Sequence, residues 1–389
     1  MTAAPAAVGR RFRAIGMMSG TSLDGIDAAV IESDGVELFD RGPGLWQAYD
    51  PRLRQRLRQA IEIHTAPDWQ AAAQKHHPFL LAVEQEIADA HAQVLTDLRA
   101  KIGDPRIDLV GFHGQTVLHR PNRGTGHGAT RQIGDASRLA AAIKLPVVHD
   151  FRSQDVSLGG EGAPLVPVYH RALAKAAGLP RSGQTVAIIN IGGVANLTAI
   201  NGESLIAFDT GPGVALLDDW LLSHTGQSFD QDGQLAASGR VNRPAVERFL
   251  SHDYFSQPYP KSLDRNDFRA WVAAIMTLVP QVADGAATLT AMTAAGIARA
   301  LSLLDPPPQE LWLCGGGLHN RTLVTAITAA CGLEARPVDA LGWDGDFLEA
   351  EAFGFLAIRH WLGLPLSFPT TTGVPRPCLG GRIVPAAKE

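Results

Sequence analysis

Four short stretches set glycine beside a hydroxyl, amide or carboxylate at the end of an apolar run: Gly20-Thr21-Ser22 with Asp24 and Asp27, Asn190 to Gly193, Asp209 to Gly213, and Gly315-Gly316-Gly317. Glycine lets backbone N–H groups approach an anion without side-chain interference, and neighbouring hydroxyls add donors. Phosphate binding is the chemistry such loops suit. Taken singly each is an ordinary turn; four together, each after an apolar run, favour a nucleotide site. No G-x-x-x-x-G-K-[ST] segment occurs and no G-x-G-x-x-G follows the first expected strand, which excludes a P-loop NTPase and a typical dinucleotide-binding fold. The phosphate grip has to come from hairpin loops.

The chain that must position these loops has 389 residues, room for two domains at roughly 150 residues each. Apolar residues make up 46% and charged residues 19%, a balance that excludes disorder and coiled coil for most of its length. With 34 Lys and Arg against 39 Asp and Glu, the net charge is -5, so no global electrostatic term favours nucleic acid or an anionic membrane surface. Cys314, Cys331 and Cys378 form no C-x-x-C pair and read as buried or incidental thiols. The N-terminus runs Ala-rich into Arg10, Arg11 and Arg13, the reverse of a secretory signal, and no stretch reaches the roughly 18 apolar residues of a membrane helix. We expect a soluble, cytoplasmic protein.

Along the chain, Phe12 to Met18 and Ile26 to Glu32 read as two strands joined by the polar tip Ser19 to Gly25, with a third short strand near Val36 to Phe39. Helix follows from Pro51 to about His64, and again over Asp68 to Ala100 with an interruption at Pro78. Ile107 to Phe112 is a strand expected to end in His113-Gly114-Gln115-Thr116, and Pro146 to Val148 another ending in His149-Asp150-Phe151-Arg152. After the glycine-rich loop Ser157 to Pro164 and a helix over Val166 to Ala177, strands resume at Thr185 to Asn190, Val194 to Ile200 and Leu205 to Phe208. The second half reopens as the first began, which points to internal duplication. Helices are expected at Val214 to His224, Arg243 to His252, Phe268 to Val279, Asp284 to Leu304, Asn320 to Cys331 and Leu348 to Leu362, with a strand at Leu311 to Cys314.

The string G-M-M-S-G-T-S-L-D-G-I-D-A-A (Gly16 to Ala29) resembles the opening signature of the anhydro-N-acetylmuramic acid kinases, members of the actin/hexokinase/Hsp70-like ATPase superfamily. The resemblance continues through Gly111 to Thr116, Gln132 to Asp135, Asp150 to Leu165, Asn190 to Thr198, Phe208 to Gly213, Phe229 to Gly233, Pro260 to Phe268, Cys314 to Asn320 and the helix around Glu349, covering nearly the whole chain in order. Phe112 stands where Ser is common before the His, and Arg123 to Thr130 looks like a loop extension.

The resemblance implies a two-domain α/β protein of the actin-like ATPase (ribonuclease H-like) fold with a central cleft. On that basis the domains are expected at 10–180, completed by 363–389, and 181–362. It implies an ATP- and Mg2+-dependent reaction, in cell-wall (peptidoglycan) recycling, that opens 1,6-anhydro-N-acetylmuramic acid with water and phosphorylates its 6-oxygen. It also implies a homodimer. Water attacking an anomeric carbon needs a general base, and by similarity this is Asp209; on the residues alone, Asp209 equally reads as a cap for the helix near Val214. Gly20, Thr21, Ser22, Leu23, Asp24, Gly25, Ile26 and Asp27 resemble the family's ATP segment, with Asn190, Gly192 and Gly193 expected to face it and Gly315, Gly316 and Gly317 to pass against the adenosine. Direct Mg2+ ligands are left unassigned, because this ion keeps several waters. Gln115, Thr116, Arg152, Asp155 and Glu349 match positions near the sugar, and Arg152 suits its lactyl carboxylate; a satisfied ion pair at a strand end is the alternative for each. His113 reads as packing or orienting. Lys261 and Asp264 read as either a loop closing over substrate or a solvated one. The competing readings are a kinase for another anhydro sugar such as levoglucosan, and an Hsp70- or actin-like ATPase without sugar transfer.

Overall fold

The computed structural model describes residues 9–20, 22–120, 122 and 128–386. Two units divide the chain: residues up to Ala176 together with those from Glu349 onward, and Ala177–Leu348.

In the first unit β1 (Phe12–Ser19), β2 (Gly25–Ser33) and β3 (Leu38–Ala48) form an antiparallel meander. β4 (Leu109–Arg120) lies parallel to β1 on its other side, antiparallel β5 (Ala129–Ile133) pairs with the end of β4, and β6 (Val147–His149) continues parallel to β4. The apolar runs of β1 and β2 are buried on both faces, as a central strand requires. Helices Pro51–Thr65 and His77–Lys101 cover one face through Leu57, Ala60, Val83, Ile87 and Leu98. The interruption expected at Pro78 falls at His76, and Pro78 sits in the first turn of the second helix, where its missing N–H costs nothing.

The second unit repeats this order. β7 (Val186–Ile191), β8 (Val194–Asn201) and β9 (Ser204–Pro212) form an antiparallel meander; β10 (Glu310–Cys314) runs parallel to β7, and β11 (Ala335–Pro337) parallel to β10. Helices Val282–Leu301 and Arg321–Cys331 pack Ala294, Ile297, Leu301, Leu323 and Ile327 onto this sheet. A short last strand, β12 (Arg382–Val384), returns to β6 in the first unit.

The boundary expected at 362 is corrected to Leu348/Glu349. A Cβ added at Gly16 of β1 would lie 1.8 Å from the Ala350 carbonyl, and one at Gly111 of β4 2.1 Å from that of Phe353. Helix Leu348–Trp361 therefore lies directly on strand backbone of the first sheet, which only glycine permits. Glu351 of the same helix, 2 % exposed, accepts bonds from Arg41 Nε at 3.1 Å and from the Tyr169 hydroxyl at 2.7 Å. The helix is thus bound to the first sheet by contact and by a buried ion pair.

Candidate active site

Ser19 ends β1 fully buried. The Tyr49 hydroxyl donates to Ser19 Oγ at 2.7 Å, Ser19 Oγ lies 3.1 Å from His91 Nε2, and His91 Nδ1 donates to the Ile87 carbonyl at 2.8 Å. That last bond fixes the tautomer, so Nε2 accepts from Ser19. Burial pushes the His91 imidazole down to about 4. Burial, with the charges of Asp24 and Asp27 adding to it, raises the Tyr49 hydroxyl above its ordinary value. Both groups stay neutral and the floor of the first hairpin is fixed.

Above this floor, Leu23 and Ile26 are buried and serve as anchors, while Ser22 and Asp24 are exposed. Asp24 Oδ1 accepts from Ser22 Oγ at 2.6 Å and from the Gly25 amide at 3.0 Å. Asp27 is half-buried in β2, and Thr21 lies outside the described residues. Gln115, 0 % exposed, donates from Nε2 to the Gly20 carbonyl at 3.1 Å, and its Oε1 is buried with no partner. Strand β4 and the first hairpin are thereby tied together. The strand does not end in His113 to Thr116, as expected, but continues: β4 runs on to Arg120 because β5 pairs with it.

Arg152 donates from Nε to His113 Nε2 at 3.1 Å and from Nη1 to the Gly162 carbonyl at 2.9 Å. His113 donates from Nδ1 to the Gly114 carbonyl, and burial, then Arg152, push its imidazole well below the usual value. A neutral, single-tautomer imidazole therefore aims the guanidinium, the orienting role its sequence context allowed. Asp155 is 0 % exposed; its carboxylate accepts from the Gly162 amide, Ser367 and Thr372. It ties the glycine-rich loop to the C-terminal tail. Thr116 and Glu349 are half-buried in the same unit, and Thr116 Oγ1 accepts from Gln132 at 3.4 Å.

In the second unit, the Gly213 amide donates to the Gly193 carbonyl at 3.0 Å and the Val214 amide to that of Gly192 at 2.9 Å. Gly315, with φ +83, backs onto Asn190: an added Cβ would lie 2.3 Å from Asn190 Oδ1. Three of the four glycine stretches are thus joined in one unit. The fourth, Gly20 to Asp27, belongs to the other.

Asp209 lies inside β9, not in a turn after it, since β9 extends to Pro212 against β8. It does not cap the following helix: Ala215–Thr225 has no side-chain cap. Asp209 is 5 % exposed. Its Oδ2 accepts from the Leu263 amide at 2.7 Å and from Ser262 Oγ at 3.1 Å, and its backbone amide donates to the Lys261 carbonyl at 3.0 Å. The Tyr254 hydroxyl donates to its carbonyl. Lys261 is buried and not solvated; its ammonium donates to the carbonyls of Tyr254 and Gln257 at 2.8 and 3.0 Å and sits over the Tyr254 ring. Burial, then Arg299, lower it to about 8. Ser262 and Leu263, which hold Asp209, were not singled out from the sequence. The signal was the polar run Pro260 to Asp264, whose partner is remote in sequence.

Beside Gly20 the nearest atom to an added Cβ is 3.5 Å away, beside Gly192 3.6 Å, beside Gly193 3.4 Å, and beside Gly316 nothing lies within 4 Å. These four have open space at the backbone, as close approach of a polyphosphate requires. Gly25, Gly315 and Gly317 instead are packed against protein atoms. Among the described residues no group of three or more His, Cys, Asp or Glu is placed to hold a metal, and no helix is long and apolar enough to cross a membrane.

Two units with the same sheet order, three antiparallel strands followed by two parallel ones, and glycine hairpins at the strand ends define the actin-like ATPase (ribonuclease H-like) fold. The model of the family described as anhydro-N-acetylmuramic acid kinase matches residues 12–386, and the chain belongs to that family. A relative of that name from Acidiphilium cryptum is 50% identical over 382 residues, covering 96% of this chain and 99% of its own. Another from Rhodopseudomonas palustris is 50% identical over 375 residues, covering 95% and 99%, and one from Rhodospirillum rubrum 46% over 381 residues, covering 96% and 94%.

Proposed function

We propose that this chain uses ATP to phosphorylate 1,6-anhydro-N-acetylmuramic acid on its 6-oxygen while water opens the anhydro bridge, giving N-acetylmuramic acid 6-phosphate and ADP. The observation that carries the reading is the setting of Asp209: a carboxylate on edge strand β9, one oxygen held by two donors, on a strand followed by Gly213, which bonds to the open Gly192-Gly193 turn. A rigidly held carboxylate suits general-base work. Asp209 takes a proton from water, the water oxygen bonds to the anomeric carbon, and the bond from that carbon to the 6-oxygen breaks. The freed oxygen takes the γ-phosphoryl group as ADP leaves.

Backbone amides near Gly20, Gly192 and Gly193, with the hydroxyls of Thr21 and Ser22, hold the phosphates, and the open face at Gly316 takes the adenosine. Mg2+ would supply charge neutralisation at the phosphates, and Asp24, Asp27 or Asp209 would hold it through water. Arg152, aimed by His113, pairs with the lactyl carboxylate. Gln115, Thr116 and Glu349 contact the sugar, and Asp155 shapes the loop beside Arg152. A homodimer and a cytoplasmic location complete this reading.

The test is a product assay with purified protein, Mg-ATP and either this sugar or levoglucosan, following ADP and sugar phosphate separately. Sugar-dependent ADP release matched by sugar phosphate, with the acidic sugar preferred, is the expected result. Equal ADP release with and without sugar would favour an ATPase without transfer.

A further inference from the structure

A carboxylate that serves as a base must stay ionised and present one oxygen in a fixed direction. Asp209 is held by a segment more than fifty residues away. Ser262 Oγ and the Leu263 amide both donate to Oδ2, and the segment that carries them is fastened by Lys261, whose ammonium binds the carbonyls of Tyr254 and Gln257. Two donors on one oxygen favour the charged form and fix the direction of the carboxylate. The Leu263 amide is fixed by the backbone; the Ser262 hydroxyl is a matter of side-chain choice.

We propose that Ser262 is a positioning residue for the reaction: its hydroxyl, acting with the Leu263 amide, orients the Asp209 carboxylate and keeps it ionised for proton uptake from water. The inference rests on Asp209 being the base. The elements packed around Asp209 carry other titratable or charged groups: Lys261, Asp264 and Arg265 on the same segment, Asp253 and Tyr254 before it, Asp284 and Arg299 on helix Val282–Leu301, and Asp218, Asp219 and His224 on helix Ala215–Thr225. β8 carries none. A Ser262 substitution leaves all of these in place, so a change in the pH profile reports on the hydroxyl.

The experiment is the pH dependence of kcat and kcat/KM for the wild type, Ser262→Ala, Ser262→Cys and Ser262→Thr, with Mg-ATP and 1,6-anhydro-N-acetylmuramic acid. We expect Ser262→Ala to lose about tenfold to a hundredfold in kcat, the usual effect of removing a bond to a charged group. KM for both substrates should stay within about twofold, and the acidic limb should move up by about one pH unit. Ser262→Thr restores the limb, and the weaker donor in Ser262→Cys places it between. An unmoved acidic limb in Ser262→Ala and Ser262→Cys overturns the proposal, whatever happens to kcat. Asp209→Asn separates the two ideas: turnover retained there overturns the base reading itself, whereas turnover abolished there with an unmoved limb in the Ser262 variants overturns only the role of Ser262.

Discussion

Asn190 Oδ1 occupies the space where a side chain at Gly315 would begin, 2.3 Å from an added Cβ. This contact joins the ends of parallel strands β7 and β10 and couples two glycine stretches. Gly315 has φ +83 and ψ 171, a conformation nearly confined to glycine. Gly315→Ala is expected to destabilise the protein by about 1–3 kcal/mol, read from urea unfolding. Gly316→Ala, with nothing within 4 Å, should change stability by less than about 0.5 kcal/mol yet raise KM for ATP. Equal stability of the two variants would contradict the distinction.

Asp209→Asn should lower kcat by at least about 100-fold, because general-base catalysis is typically worth that much or more, while Mg-ATP binding measured by calorimetry stays close to wild type. Retention of a tenth of the rate would exclude a base at this position.

Arg152→Gln removes the cation that His113 aims. For the acidic sugar, kcat/KM should drop about tenfold to a hundredfold, the effect of one charge-assisted hydrogen bond, while an anhydro sugar without the carboxylate should change little. A uniform loss on both sugars would assign Arg152 to the loop and not to the lactyl group. Arg152→Lys should rescue poorly, since a lysine cannot both bond to His113 and present a planar fork.

His91 is buried and its imidazole is pushed from 6.5 to about 4. The unfolded chain takes up a proton below pH 6.5 that the folded chain refuses, so the stability His91 supports is complete above 6.5 and lost as pH falls toward 4. Between pH 7 and pH 5 the wild type should lose about 2 kcal/mol more than His91→Gln does, measured by urea unfolding at both pH values. Parallel losses would show that His91 titrates normally.

Arg41 and Glu351 form a buried pair with Tyr169. Arg41→Met alone should cost about 3–5 kcal/mol by stranding a buried carboxylate, and a second change, Glu351→Leu, should recover most of it. Failure of the double variant to recover stability would place the value of the pair in its geometry.

Much of this was legible in the sequence because it rests on local signals. Apolar runs ending in glycine gave the strands, the repeated meander gave the duplication, and the motif order gave the family. What escaped depends on partners distant along the chain. β4 runs past His113 because β5 pairs with it, and Asp209 sits within a strand because β8 reaches Pro212. Ser262 looked like part of a solvated loop because the carboxylate it serves is 53 residues away. Asp155, which matches a position near the sugar, is held by the tail residues Ser367 and Thr372, more than 200 residues away. Helix Leu348–Trp361 joined the first unit through Gly16 and Gly111, whose smallness has meaning only once the helix is present.

That last arrangement carries a consequence for synthesis on the ribosome. Ala177–Leu348 emerges as one uninterrupted stretch and can mature as soon as it clears the exit tunnel. Residues up to Ala176 must wait, with the glycine-floored strip over β1 and β4 uncovered, until the segment from Glu349 onward has been added. Early termination near Leu348 would therefore spare the later-made half and leave the earlier-made half unfinished.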